Sequence, residues 1–214
     1  ETIRNNGKLF HMTHRDQPEL ILASNSTARQ SMLRHAGLKF SAQPSDIDEK
    51  SHKVTLAAGG VTAKTLAAEL AMAKAGDIAS QKPLAWVIGA DQVLVCEDEF
   101  FDKAENLSAA GEVLQRLSGR CHELHAAVSI LCGDRVLWQH TDVARMWMRP
   151  LSDQFIEAYL DQAGPSVLGS VGCYQIEGLG VQLFERIEGD HFTIMGLPLL
   201  PLLNYLHSTG VISR

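Results

Sequence analysis

The apolar positions of the chain fall into short runs and stripes whose period changes near residue 121. Leu20-Ile21-Leu22-Ala23 is continuously apolar and short enough for a buried strand. The turn Ser24-Asn25-Ser26-Thr27 follows at once and predicts a helix through about Ala36, with Thr27 and Gln30 at capping-box spacing and Gly37 as its C′ residue. Gln43 to Lys53 is polar and acidic and reads as a loop. Thr55 to Ala75 is alanine-rich, with Val61, Leu66, Leu70 and Ala73 at roughly helical spacing. It predicts one helix, weakened early by Gly59-Gly60 and ended by Gly76. Trp86 to Val95 reads as a buried strand interrupted by a single acid, Asp91, and leads to a turn at Glu97-Asp98-Glu99. Ser108 is placed to cap a helix with Leu114 and Leu117 inward and Gly119 at its end.

From Cys121 the pattern alternates as strands do. His122 to Leu131, a turn at Gly133-Asp134 and Arg135 to Met148 predict a long hairpin. Ser152 to Gln162 then forms an amphipathic stripe, with Phe155, Ile156, Tyr159 and Leu160 expected inward. A glycine-rich stretch, a strand over Val181 to Ile187 and an apolar terminal helix over Leu199 to His207 complete the chain. Strand and helix alternate, and the hairpin adds antiparallel neighbours, so the expected class is α/β with a mixed central sheet.

Composition narrows the function more than the fold. The chain has 214 residues, a net charge of -6 and 45% hydrophobic residues, which suits one large domain, or two small lobes, over 19–214 behind a polar leader, 1–18, expected to be disordered. Met12 is an alternative natural start within that leader. The acidic balance argues against wholesale binding of a nucleic-acid backbone but leaves room for a small anion held by local cations. Four cysteines without a C-x-x-C pair suggest free thiols and a cytoplasmic setting. Cys121 and His125 stand four apart, about 13 Å along a strand, so they cannot share an ion.

The candidate chemistry gathers around Asp91. Gly89 and Ala90 remove bulk before it, and Val93-Leu94-Val95 follows, so its carboxylate sits at the edge of a core and needs a metal, a cation or a hydrogen-bonding role. Ser24 to Thr27 turns from a strand into a helix N-terminus, where free N–H groups and the dipole favour phosphate, and Arg29 can add a bidentate fork. The loop acids Asp46, Asp48 and Glu49 fall close together and could lend a carboxylate to Mg²⁺. Locally, Lys74 reads as a helix-end cation and Glu177 as a loop acid.

Taken in order, these pieces resemble one family. Leu22-Ala23-Ser24-Asn25-Ser26-Thr27-Ala28-Arg29, Ala73-Lys74-Ala75, Ile88-Gly89-Ala90-Asp91-Gln92-Val93, Leu117-Ser118-Gly119 with His122, Glu177-Gly178-Leu179-Gly180, Gly189-Asp190 and Gly196-Leu197-Pro198-Leu199 are similar to the Maf proteins, nucleoside triphosphate pyrophosphatases. The resemblance implies two lobes around a central cleft and cleavage between the α- and β-phosphates. It implies Asp91 as the base that orients and deprotonates the attacking water or as a metal ligand, and Glu49 as the second metal ligand for Mg²⁺ or Mn²⁺. Ser24, Ser26, Arg29, Lys74 and Lys103 would bind substrate, and Ala28, Gln92 and Glu177 would set base specificity. Asp91-Gln92, Gly169-Ser170 and Glu177 look like the branch associated with 7-methyl-GTP rather than dTTP and UTP. Two departures stand out: Ala28 replaces the tryptophan of a Ser-Pro-Trp-Arg pattern, and Asp102-Lys103-Ala104 replaces Gly-Lys-Pro. The implied partner is a small nucleotide, with a homodimer admissible and neither nucleic-acid polymer nor membrane. The alternatives are a nucleotide-binding regulator of cell division without turnover, and a Maf enzyme preferring dTTP, UTP or CTP.

Overall fold

The computed structural model describes residues 17–212; nearly all of the leader proposed above lies outside them. Among the described residues, seven strands form one mixed sheet and seven helices pack against it. The strands are β1 (Leu20–Leu22), β2 (Ser41–Ala42), β3 (Trp86–Cys96), β4 (Glu99–Phe101), β5 (Cys121–Cys132), β6 (Arg135–Met148) and β7 (Phe184–Glu188). Their order is β2-β1-β3-β5-β6-β7, with β4 also on β3. β1 runs parallel to β2 and β3, and the remaining pairs are antiparallel.

One consequence of this register defines the site. β5 pairs with β3 from Val87 to Val95. On the other edge, β1 pairs only with Trp86 to Ile88 and β4 only with Leu94 to Cys96. The edge of β3 between them, centred on Asp91, has no strand partner. Successive side chains of a strand point to opposite faces. Ile88 and Ala90 belong to one hydrophobic cluster and Leu94 and Cys96, on the same face, to another. The two clusters are the cores on either side of the gap.

The helices are α1 (Thr27–His35), α2 (Glu49–Ala58), α3 (Ala63–Gln81), α4 (Leu107–Leu117), α5 (Asp153–Ala163), α6 (His191–Ile194) and α7 (Leu199–Ser208). Several expectations are corrected here. The cap of α1 is Ser26, whose Oγ accepts from the Arg29 amide, and Thr27 is already helical; Gln30 instead donates to the Ser24 carbonyl. The stretch expected as a loop up to Lys53 contains the start of α2. Asp48 caps it through the Ser51 amide, and none of its residues is buried, so no apolar stripe announces it. Gly59-Gly60, with Gly60 at φ +71°, separates two helices rather than weakening one. Gly76 does not end α3, which runs on to Gln81. Lys74 is therefore a mid-helix residue and not a helix-end cation.

Smaller shifts follow local geometry. Asn106, not Ser108, caps α4. Phe155 is 40% exposed, because the inward stripe of α5 is Ile156, Tyr159 and Leu160 and a residue one position earlier lies about 100° away. Residues Leu179–Leu183 coil as a 3-10 turn, so β7 starts later than expected.

Candidate active site

The bare edge of β3 opens into a cavity of about 850 Å³. The odd residues of β3 face α3. Gly89 lies directly against its backbone: a Cβ there would sit 2.7 Å from the Ala75 nitrogen, and nearer still to the Ala71 carbonyl oxygen. This close approach brings Lys74 over the strand two residues further on. Its Nζ lies 2.6 Å from Asp91 Oδ1 and 2.9 Å from Glu49 Oε2. Lys74 and Asp91 are buried, whereas Glu49, the first residue of α2, is exposed to the cavity. One ammonium thus holds two carboxylates together, and Asp91 Oδ2 has no partner among the described residues.

Arg29 reaches the same edge from α1. Its Nε donates to the Gly196 carbonyl at 2.8 Å and its Nη1 to the Ala90 carbonyl at 2.9 Å, with Ser24 Oγ at 3.4 Å. It satisfies a carbonyl that a neighbouring strand would otherwise take. Burial lowers its pKa, opposed by the charges of Asp91 and Glu49; a guanidinium stays protonated regardless. Lys103 follows β4 on the far side of the gap. Burial, followed by Arg29 and Lys74, pulls its pKa below the ordinary lysine value, against Glu49 and Asp91.

Gln92 points to the face opposite Asp91. Its Nε2 donates to the carbonyls of Thr193 at 2.9 Å and Ile194 at 3.0 Å, leaving Oε1 as its free function. Ser24, Ser26 and Ala28 line the cavity at the start of α1, and Glu177 lines it from the loop after α5. Every residue selected from the sequence therefore borders this one cavity. Gly169 and Ser170, the pair that marked the branch, border it too, as do Lys50, Lys53 and Asp102, which no local signal in the sequence marks as site residues. Lys53 lies one turn after Glu49, a spacing that becomes informative only once α2 is known to be a helix.

The donor set bears on a cation. Glu49 and Asp91 supply hard carboxylate oxygens, and Mg²⁺ is commonly held by one or two carboxylates together with substrate phosphates and water. The pair fits that use, while no cluster of three or more metal-ligating side chains occurs among the described residues.

The model of the Maf-like protein family matches residues 19–209. The chain belongs to the Maf family. A "Nucleoside triphosphate pyrophosphatase" of Nitrobacter winogradskyi is 49% identical over 199 residues, covering 93% of this chain and 98% of that protein. A "7-methyl-GTP pyrophosphatase" of Rhizobium etli is 45% identical, covering 91% of this chain and 98% of its own length. Another from Rhizobium meliloti is 46% identical, with 92% and 98% covered. Among the described residues, no helix of this Maf chain is long and apolar enough to cross a membrane.

One wall of the Maf cavity rests on a buried pair. Tyr174 borders the cavity, and its hydroxyl lies 2.7 Å from Nε2 of His122, whose Nδ1 is buried without a partner. Ser170 Oγ accepts from the Tyr174 amide and donates to its carbonyl, so Tyr174 is held at three points. Burial lowers the His122 pKa from 6.5 to about 4. The unfolded ring takes up a proton near pH 6.5, and the folded ring does so only near 4. Stability present above the unfolded pKa is therefore lost as pH falls through that interval. At about 1.36 kcal/mol per pKa unit the loss is roughly 3 kcal/mol. Urea unfolding at pH 7 and pH 4.5 measures it; in His122→Gln the difference between the two pH values should shrink, and an unchanged difference contradicts the assignment.

Proposed function

We propose that this Maf protein hydrolyses a nucleoside triphosphate between its α- and β-phosphates, releasing the monophosphate and pyrophosphate, with 7-methyl-GTP as the preferred substrate. The observation that carries the reading is the joining of Asp91 and Glu49 by Lys74 at the bare edge of β3, inside a cavity that also holds Arg29 and Lys103. The names of the relatives support the same chemistry. The Ser24–Ser26 turn and Arg29 bind and orient the phosphates beside the N-terminus of α1. Asp91 Oδ2 takes the proton of the attacking water, whose oxygen bonds to the α-phosphorus as the bond to the bridging oxygen breaks. Lys74, Lys103 and Arg29 face the charge that grows on the phosphate oxygens. Glu49 and Asp91 would hold Mg²⁺ or Mn²⁺. Bound there, the cation would neutralise phosphate charge.

The test is a panel of triphosphates, methylated ones included, with chromatographic identification of products. Monophosphate and pyrophosphate from 7-methyl-GTP support the reading; diphosphate and orthophosphate, or binding without turnover, overturn it.

For the base, Glu177 offers a carboxylate acceptor to the N1–H and exocyclic amine of a guanine edge, and gains further from a cationic methylated ring. Charged hydrogen bonds are worth about 1.5–3 kcal/mol, or roughly 10- to 150-fold in preference. Glu177→Gln should therefore lower kcat/KM for 7-methyl-GTP relative to dTTP by at least about tenfold. An unchanged ratio would move selectivity elsewhere, most simply to the cavity beside Ala28. Gln92→Thr is a less clean test, since it also removes both donors to the α6 carbonyls.

A further inference from the structure

Lys53 is the remaining cation that bridges two walls of the cleft. It leaves α2 on the same face as Glu49, one turn on, and both border the cavity. Across the mouth it pairs with Asp102, the chain neighbour of Lys103. The Lys53 side chain is 19% exposed and that of Asp102 is 76%. Asp102 stands where the resembled pattern has glycine, so this chain places a carboxylate beside a phosphate site. A carboxylate there opposes an incoming polyphosphate unless a cation neutralises it. An ion pair with one partner so exposed is weakly held and easily exchanged. A phosphate oxygen is the stronger partner, through a charge-assisted hydrogen bond.

The cations of the cavity are also unevenly placed. Lys50, Lys53 and Lys103 lie on its α2 and β4 rim, among the carboxylates of Glu49, Asp102 and Glu105, whereas its lining from Ser166 to Glu177 contains no lysine or arginine. The phosphates belong on the first rim and the base on the second. Lys74 and Asp91 form the buried floor where the α-phosphate reacts on the reading above, so the rim nearest solvent faces the far end of the triphosphate.

We infer that Lys53 is a ligand for the terminal phosphate of the substrate, held by Asp102 in the empty cleft and transferred to the γ-phosphate when nucleotide binds. Asp102 is then a competitor that weakens polyphosphate binding until Lys53 is drawn away. This inference rests on the triphosphate reading, and it gives two single substitutions opposite signs.

The experiment is calorimetric titration of wild type, Lys53→Met and Asp102→Asn with two probes: the α,β-methylene analogue of 7-methyl-GTP and 7-methyl-GDP. Lys53→Met should bind the triphosphate analogue about tenfold more weakly while the diphosphate changes less than about twofold. Asp102→Asn should bind the triphosphate analogue several-fold more tightly. Unchanged triphosphate affinity in Lys53→Met overturns the inference, as does an equal loss for both probes or weaker binding in Asp102→Asn. Circular dichroism checks that each variant is folded. Pyrophosphate release by the wild type on 7-methyl-GTP is measured on the same preparation. It judges the underlying reading separately, since that can fail while the affinities still rank as stated.

Discussion

Asp91→Asn should leave a folded protein whose rate of pyrophosphate release is lower by about 10² to 10⁴, the usual cost of removing a general base, and by more if a cation is lost with it. The amide keeps the shape of the carboxylate but cannot take a proton. Folding should survive because Lys74 keeps its second partner: Glu49 remains 2.9 Å away, so the buried ammonium is not left without a carboxylate. With its amide oxygen turned toward Lys74, the variant also preserves the hydrogen bond that Asp91 Oδ1 now accepts. Circular dichroism and a coupled pyrophosphate assay on one preparation make the comparison. A folded variant with near wild-type kcat would remove Asp91 from the chemistry.

The second large effect is on stability. Gly89→Ala would place a Cβ 2.8 Å from the Ala75 Cβ and 2.7 Å from its nitrogen, with the Ala71 carbonyl oxygen closer still. Real Cβ atoms do not approach main chain so closely, so α3 would have to withdraw from β3. Overpacking a core typically costs about 1–3 kcal/mol, occasionally more, and here the obstacles are backbone rather than flexible side chains. A loss of about 3 kcal/mol would lower Tm by roughly 6–12 °C for a chain of this size. Withdrawing α3 also carries Lys74 away from Asp91, so kcat should fall with Tm. Gly76→Ala is the control: its Cβ would meet only Leu131 Cδ2, at 3.8 Å, and inside a helix alanine is favoured over glycine by about 1 kcal/mol. Scanning calorimetry on the two variants should give shifts of opposite sign. An unchanged Tm in Gly89→Ala would mean that α3 and β3 are not packed as described.

What can be read from the chain, and what cannot, follows from where the signals lie. β3, the β5–β6 hairpin and α7 announce themselves because their apolar positions face a core. α2 does not: none of its residues is buried, and its start signal, Asp48 with Ser51 at capping distance, is short-range and easily taken for a polar turn. The end of α3 is misread because Gly76 is a breaker by propensity, yet tertiary packing keeps it helical beside Leu131. That glycine hides the mid-helix position of Lys74, which matters for the site. Asp91 stands out as a lone acid between apolar runs. Its setting does not: the missing strand partner beside it arises because the pairing with β1 stops at Ile88 and the pairing with β4 begins at Leu94, a register that no local pattern encodes. Likewise, Gln92 can be selected from the sequence, but not the use of its amide nitrogen on two carbonyls of α6. Lys53 and Asp102 are distant in sequence and acquire meaning only as a pair.

The unequal anchoring of the two helices that supply the site also sets its clock. α3 lies in the core, with Leu66, Leu70 and Ile78 at most 1% exposed. Local opening free energies in a protein range from near zero in sparsely packed segments up to the global value in the core. Lys74 and Asp91 thus belong to the part that separates only when the whole domain unfolds. α2 has no fully buried residue, only Leu56 packs partly against the cluster beneath α3, and its cavity-facing ties are the Glu49 and Lys53 pairs, so it belongs to the low end of that range. Amide hydrogen exchange should therefore release α2 well before α3, so the cavity can loosen at its α2 wall while the carboxylate and ammonium beneath keep their spacing.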